Sequence, residues 1–332
     1  MSRVRILTKK DLYDLMKMPD IVDSVQEAYA GTSLSPGYSF TKNRLDYSAD
    51  NGPPLQISAG LAETGGSLGI SLARWSEAPP TPEAASGYSS TLLIVDQITG
   101  HLVAILDGTA VTSLRCSAAA SIAARYLAPA ITRNIFIAGS GPLAAALLRG
   151  AVHSVPQARN VCVAGRDPQR VDRFIMEQSP KYPHVRFTRV LMHEMTGDVL
   201  GSDIVMTCTS SHHPFLRKEM VSPGTLVIAA GADHPDKQEI DIDLSSTSLL
   251  FADSRSQATD SGEFRAVSGE ERIRMEDITE MADVLSGKAS VVEHPRKTRI
   301  FALTGLVAEE TLIASKALNM AAYRNIGQML SL

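Results

Sequence analysis

The stretch Ile135-Phe136-Ile137-Ala138-Gly139-Ser140-Gly141-Pro142-Leu143-Ala144 carries the clearest chemical signal in the chain. Gly139-x-Gly141-x-x-Ala144 follows an apolar run with the character of a strand and opens one with the character of a helix. In that setting the spacing predicts a dinucleotide-binding turn. Gly139 permits the tight turn, Gly141 lets the backbone approach a pyrophosphate, and Ala144 lets helix and strand pack closely. The helix start, around Pro142, offers the free N–H groups of Ser140 and Leu143 and partial positive charge to phosphates. The next strand, Val161-Cys162-Val163-Ala164, ends in Gly165-Arg166. An NAD enzyme usually carries Asp or Glu there for the ribose 2′-hydroxyl. Gly165 with Arg166 suits a 2′-phosphate instead, so NADP(H) is favoured over NAD(H). Asp167 is expected to cap the following helix, with Pro168 at its first position.

Asp233 lies just past another apolar strand, where ligands of open α/β sheets collect. A carboxylate there can act as acid or base. Thr207 and Thr209 flank Cys208 at a further strand end, placed to meet the nicotinamide side. Arg115 lies in an otherwise apolar helix, where a guanidinium needs an anionic partner. Its planar fork suits a ligand carboxylate, and a structural salt bridge is the alternative. Arg44 sits on an expected strand, with Lys42 at the same parity. His212, His213 and Glu194 lack the spacing of a zinc site, and no metal is expected. Ser117 and Ser121 have no His/Asp signature beside them, so no serine nucleophile is proposed.

These groups need a scaffold. Leu12–Ala30 reads as two helical pieces around Pro19-Asp20. Short apolar or alternating runs follow at Thr41–Tyr47, Leu55–Leu61, Leu68–Ala73, Ser90–Val95 and Leu102–Leu106, broken by Gly, Pro and Asn. They predict a mostly antiparallel β-domain. Glu77–Gly87, with three prolines, reads as a loop. Ala110–Ala128 reads as a long buried helix. Strands at Asn134–Ala138, Asn160–Ala164, Val185–Val190, Asp203–Thr207, Thr225–Ala229 and Ser248–Ala252 alternate with helices such as Gly141–His153 and Pro168–Glu177. That pattern predicts a doubly wound parallel α/β sheet. Thr311–Leu330 is expected to close the chain as a helix.

Composition bounds the function classes. The 332 residues are 44% hydrophobic and 20% charged, with a net charge of −4. That is enough chain for two domains. There is no basic excess to favour nucleic acid. Arg296, Lys297 and Arg299 are expected in a solvated loop. Cys116, Cys162 and Cys208 form no paired spacing, which argues against a disulfide framework. Cys162 and Cys208 read as buried, inert thiols. No apolar run reaches the roughly 18 residues that span a bilayer. With no signal peptide at the start, a cytoplasmic protein is expected.

Three segments together resemble the ornithine cyclodeaminase/mu-crystallin family: LVAILDGTAVTSLRCSAAASIAARYLA with the glycine turn after it, GTLVIAAGADHPDKQEID, and LTGLVAEETLIASKAL. The resemblance implies a Rossmann-type domain, residues 129–305, inserted into a mostly antiparallel α+β substrate-binding and dimerisation domain, residues 1–128 with 306–332. It implies a homodimer and a small imino- or amino-acid substrate. By the same resemblance Arg44 and Arg115 bind the substrate carboxylate, while Asp233 contacts its nitrogen and shuttles a proton. Two departures stand out. Ser71 falls where family cyclodeaminases carry a lysine, and Arg74 either compensates or faces solvent. Gln56 falls where the ornithine-specific enzyme has a glutamate. An NAD(P)H-dependent imine or ketimine reductase or amino-acid dehydrogenase is therefore expected. The alternatives are a cyclodeaminase using NAD internally and a non-catalytic, crystallin-like NADPH-binding protein.

Overall fold

In a computed structural model, residues 3–34, 45–47, 55–62, 66–75, 87–291 and 294–331 are described. The chain divides into two compact units, Met1–Ala118 with Gly305–Leu332, and Ala119–Thr304.

The first unit is built on a seven-stranded sheet. Its order is Gln328–Ser331, Arg3–Leu7, Leu102–Asp107, Tyr88–Asp96, Ser67–Trp75, Leu55–Ala62 and Leu45–Tyr47. The meander from Leu45 to Asp107 is antiparallel, as the alternating pattern predicts. Arg3–Leu7 breaks that rule by pairing parallel with Leu102–Asp107. The sequence reading missed this strand and the closing one. The last helix is Val307–Arg324, not Thr311–Leu330. Asn325 turns left-handed at φ 53°, and the chain leaves as the strand Gln328–Ser331. Asn tolerates that conformation better than most residues.

Small residues let this helix lie directly on the sheet. A side chain at Gly60 would come within 2.7 Å of the Ala308 backbone nitrogen. Gly69 is closed off by Thr311, whose hydroxyl donates to the Gly60 carbonyl at 3.1 Å. Gly60 and Gly69 are cross-strand partners, as are Ser58 with Ser71 and Gln56 with Ala73. Side chains alternate along strands, so all six positions share the face that receives the helix. The helix Gly108–Leu127 starts against Ser90, where Gly108 leaves no room for a side chain.

The second unit carries an eight-stranded sheet, ordered Ile278–Glu280, Leu249–Ala252, Arg299–Ala302, Leu226–Ala229, Ile204–Thr207, Asn134–Ala138, Asn160–Gly165 and Arg186–Leu191. Every pairing in it is parallel. The six strands expected from the sequence are present within two residues at either end. Ile278–Glu280 and Arg299–Ala302 were missed. Arg299 corrects the expectation of a solvated basic loop: it is 6% exposed and opens a central strand. Its guanidinium donates to the Leu127 and Gly224 carbonyls at 3.2 and 3.4 Å. Leu127 ends the long helix, so the cation meets the negative end of a helix dipole. The apolar core of this unit joins Phe136, Val205, Val227 and Ile300 from neighbouring strands to Phe264 and Leu216.

Candidate functional site

In the second unit the expected cofactor residues gather along one edge of the sheet. Gly139 leaves its strand at φ 124°, a conformation suited to glycine, and a side chain there would lie 2.7 Å from the Cys208 sulfur. The helix Pro142–Ser154 starts next, with Gly141 at its cap and no side chain covering its N–H groups. A Cβ added at Gly141 meets nothing within 4 Å, which leaves room for a group to approach the backbone. Ala144 is fully buried beneath. The turn therefore fits a pyrophosphate, with Ser140, Pro142 and Leu143 around the helix start.

Gly165 ends the adjacent strand, and a side chain there would press on Val171 at 2.8 Å. Arg166 is exposed beside it. Asp167 caps the helix Pro168–Gln178 as expected, accepting from the Gln169 and Arg170 amides at 2.9 and 3.4 Å.

Asp233 lies beyond the carboxyl end of Leu226–Ala229 and is about half exposed. A partner unnoticed in the sequence holds it: Lys237 Nζ donates to Asp233 Oδ1 at 2.7 Å, and Lys237 is 8% exposed. The buried ammonium fixes one carboxylate oxygen. Thr207 is fully buried at the end of its strand, so Thr209 is the better placed of the two for a ligand. The Thr209 amide and hydroxyl donate to Glu239 Oε1 at 2.6 and 2.7 Å. Glu239 Oε2 accepts from the Gly231 amide at 2.9 Å. Glu239 is fully buried, which pushes its acidity toward higher pH. Glu263, buried nearby, accepts from the Glu239 and Ile240 amides at 3.0 and 2.6 Å. Burial, and then the charge of Glu239, hold its carboxyl well above the ordinary range.

In the first unit, Arg115 is 8% exposed on the helix Gly108–Leu127. Its anionic partners are Glu309 Oε2 at 3.4 Å and Glu310 Oε1 at 3.5 Å, both on the last helix. Glu310 Oε1 also accepts from the Thr112 hydroxyl at 2.7 Å, and the Tyr88 hydroxyl lies 3.2 Å from that of Thr112. Burial, then the charge of Glu310, push the Tyr88 phenol up to about 12. Tyr88 therefore stays neutral through the physiological range. Gly305 closes over the guanidinium, since a Cβ there would sit 2.5 Å from Arg115 Cζ.

Ser71 is buried with its hydroxyl 3.2 Å from that of Ser90. Gln56 Nε2 reaches Ser58 at 3.4 Å on the same sheet face. Arg74 is exposed and, by alternation, on the opposite face from Ser71. Solvent is thus the alternative that the structure favours for Arg74. Arg44 and Lys42 lie outside the described residues. Sequence reasoning missed Tyr88, Thr112, Glu309 and Glu310. Two adjacent acids within the apolar stretch Val307–Ile313 were the available signal.

Cys116, Cys162 and Cys208 form no disulfide. Cys162 and Cys208 are only partly buried, which corrects the expectation of burial for both. Burial, with Asp198 alongside, pushes the Cys162 thiol to about 11, so it remains a thiol. Among the described residues no group of three or more His, Cys, Asp or Glu side chains could hold a metal ion. Among them, too, no helix is long and apolar enough to cross a membrane.

Known proteins resemble this chain in sequence and fold. Alanine dehydrogenase of Archaeoglobus fulgidus is 26% identical over 325 residues, covering 97% of this chain and 96% of that one. The ketimine reductase mu-crystallin of Mus musculus is 28% identical over 234 residues, covering 70% and 69%. A solved archaeal alanine dehydrogenase, a dimer with bound NAD, superposes with a TM-score of 0.88 at 23% identity over all of both chains. The fold is thus that of these dehydrogenases, a Rossmann-type sheet with a second α+β unit. The profile of the ornithine cyclodeaminase/mu-crystallin family matches residues 74–321, and the chain belongs to that family.

Proposed function

We propose that the protein is a pyridine-nucleotide-dependent oxidoreductase acting on the C–N bond of a small imino or amino acid, as an imine or ketimine reductase or an amino-acid dehydrogenase. The observation that carries this reading is Asp233. It is an acid at the carboxyl edge of a dinucleotide-binding sheet, two strands from the glycine turn and oriented by the buried Lys237. The relatives named as alanine dehydrogenase and ketimine reductase act on such bonds.

The Gly139–Ala144 turn would hold the cofactor's pyrophosphate, Arg166 a 2′-phosphate, and Thr209 the nicotinamide side. When bound, the nicotinamide accepts or supplies the hydride. Arg115, aimed by Glu309 and Glu310, pairs with the substrate carboxylate, and Arg44 is its proposed second clamp. Asp233 stabilises the iminium by its charge and manages the proton on nitrogen. NADP(H) is the preferred cofactor because Gly165-Arg166 offers a cation and no acid. Ser71, bonded to Ser90 where family cyclodeaminases carry lysine, supports a reductase over a cyclodeaminase. Exposed Val103 and Leu330, on the strands either side of Arg3–Leu7, share one face of the sheet, and this apolar pair supports a homodimer. Reduced thiols suit a cytoplasmic location.

A panel of cyclic imines, and of 2-oxo acids with amines, followed by oxidation of NADPH and NADH, tests this reading. Oxidation of NADPH with at least one imine is expected. Ammonia release without net cofactor change would mean a cyclodeaminase. Cofactor binding with no turnover on any substrate would mean a binding protein.

A further inference from the structure

Glu239 takes no part in the chemistry just described, yet its buried carboxylate accepts three hydrogen bonds. Its two carboxylate oxygens reach different segments. Oε1 accepts from the amide and hydroxyl of Thr209, which follows the strand Ile204–Thr207. Oε2 accepts from the amide of Gly231, which follows the neighbouring strand Leu226–Ala229 and stands two residues before Asp233. The fit at Gly231 is tight: a Cβ there would lie 2.5 Å from the Glu239 carboxylate and would also strike the Thr209 carbonyl.

The residue that makes these bonds is itself anchored. The Glu239 carbonyl accepts from the Phe215 and Leu216 amides at 2.9 and 3.0 Å. Its amide donates to Glu263 at 3.0 Å, and the next amide, Ile240, donates to the same oxygen at 2.6 Å. The side chain is 0% exposed. A buried carboxylate is costly unless donors satisfy it, and here three donors converge from two loops. Those loops carry Thr209 and Asp233.

We propose that Glu239 is a positioning residue: its carboxylate joins the Thr209 segment to the Gly231–Asp233 turn and so sets where Asp233 stands at the sheet edge. Lys237 fixes the Asp233 carboxylate at its tip, and Glu239 fixes the backbone that carries it. The inference rests on the reading of Asp233 as the proton-handling group.

Glu239→Gln separates the two ties. The amide oxygen can still accept from Thr209, but an NH2 group then faces the Gly231 amide, donor against donor. Gly231→Ala attacks the same joint from the other side. Amide hydrogen exchange on the full chain, read by mass spectrometry, tests the tether without reference to activity. Faster exchange is expected in 229–236 for both variants, with the strand 134–138 unchanged. Turnover should fall about 10- to 100-fold, as for a displaced catalytic group. In Glu239→Gln the KM for the imine and NADPH binding should stay within about 3-fold, because Arg115, the glycine turn and the Thr209 tie are kept. General unfolding would not give that split. Wild-type exchange in 229–236 in both variants would overturn the proposal. So would wild-type turnover in both despite faster exchange. If the unaltered protein turned over no imine at all, the functional reading would fail, while exchange would still decide the tether.

Discussion

Each unit buries a pair of glutamates, and the two pairs are accommodated differently. In the first unit Glu309 and Glu310 face Arg115, a cation almost 200 residues earlier in the chain, and Glu310 takes a hydroxyl from Thr112 as well. In the second, Glu239 and Glu263 are met chiefly by N–H groups of nearby loops. A pair balanced by one guanidinium is vulnerable to loss of that guanidinium. A pair held by backbone donors keeps its geometry but remains sensitive to pH. The first arrangement suits a rigid carboxylate clamp, and the second ties together the loops that carry Thr209 and Asp233.

Substitutions can break this contrast. The largest effect is expected at Asp233. Asp233→Asn keeps the shape and removes the charge, so turnover should fall about 10²–10⁴-fold, the range of general acid–base catalysis. NADPH binding, followed by fluorescence, should be unchanged. Full turnover in this variant would reduce Asp233 to a turn residue.

Arg115→Ala comes next. It leaves Glu309 and Glu310 buried without this cation, and breaking a buried pair costs about 3–5 kcal/mol. The urea midpoint should drop along with substrate affinity. A loss of affinity with unchanged stability would show that the glutamates do not depend on Arg115.

Gly139→Ala should weaken the second unit through its backbone. Strain at a positive φ is worth about 1–3 kcal/mol, and the new methyl also meets Cys208. Cofactor binding should fall with the melting temperature. Normal NADPH affinity in this variant would mean that the turn does not seat the pyrophosphate.

Arg166→Ala should raise the KM for NADPH about 10- to 100-fold, corresponding to a charged hydrogen bond of about 1.5–3 kcal/mol, and leave NADH nearly unaffected. Equal affinity of the unaltered protein for both cofactors would remove the basis for an NADP(H) preference.

The smallest change, Glu263→Gln, sharpens the comparison. The folded protein holds the Glu263 proton more tightly than the unfolded chain does. Between the ordinary carboxylate range and that raised value, the folded state binds more protons, so stability falls as pH rises through the window. Glu263→Gln keeps an acceptor for the Glu239 and Ile240 amides and removes the titration. Denaturant midpoints measured from acid to neutral pH should therefore flatten. An unchanged slope would mean that Glu263 contributes nothing to the pH dependence of stability.

What the sequence determined by itself is the part set by local rules. Gly139 and Gly141 announce a tight glycine turn that suits a cofactor, because a positive φ and an uncovered helix start are properties of a few consecutive residues. Asp167-Pro168 announces a helix start for the same reason. Five strands of the first sheet follow from alternation and turn residues. The position of Asp233 could be read from its place after an apolar run. Tertiary structure decided the rest. Arg3–Leu7 and Gln328–Ser331 lie near the two ends of the chain; they pair with each other, and Arg3–Leu7 pairs with Leu102–Asp107, a juxtaposition that only the fold supplies. Arg299 looked solvated among cationic neighbours, but a central strand and the end of a helix draw it inside. The partners of Arg115 and of Glu239 are invisible in the sequence, because a buried charge is satisfied by whatever donor or counter-ion the fold brings within about 3 Å. Sequence spacing does not encode that proximity.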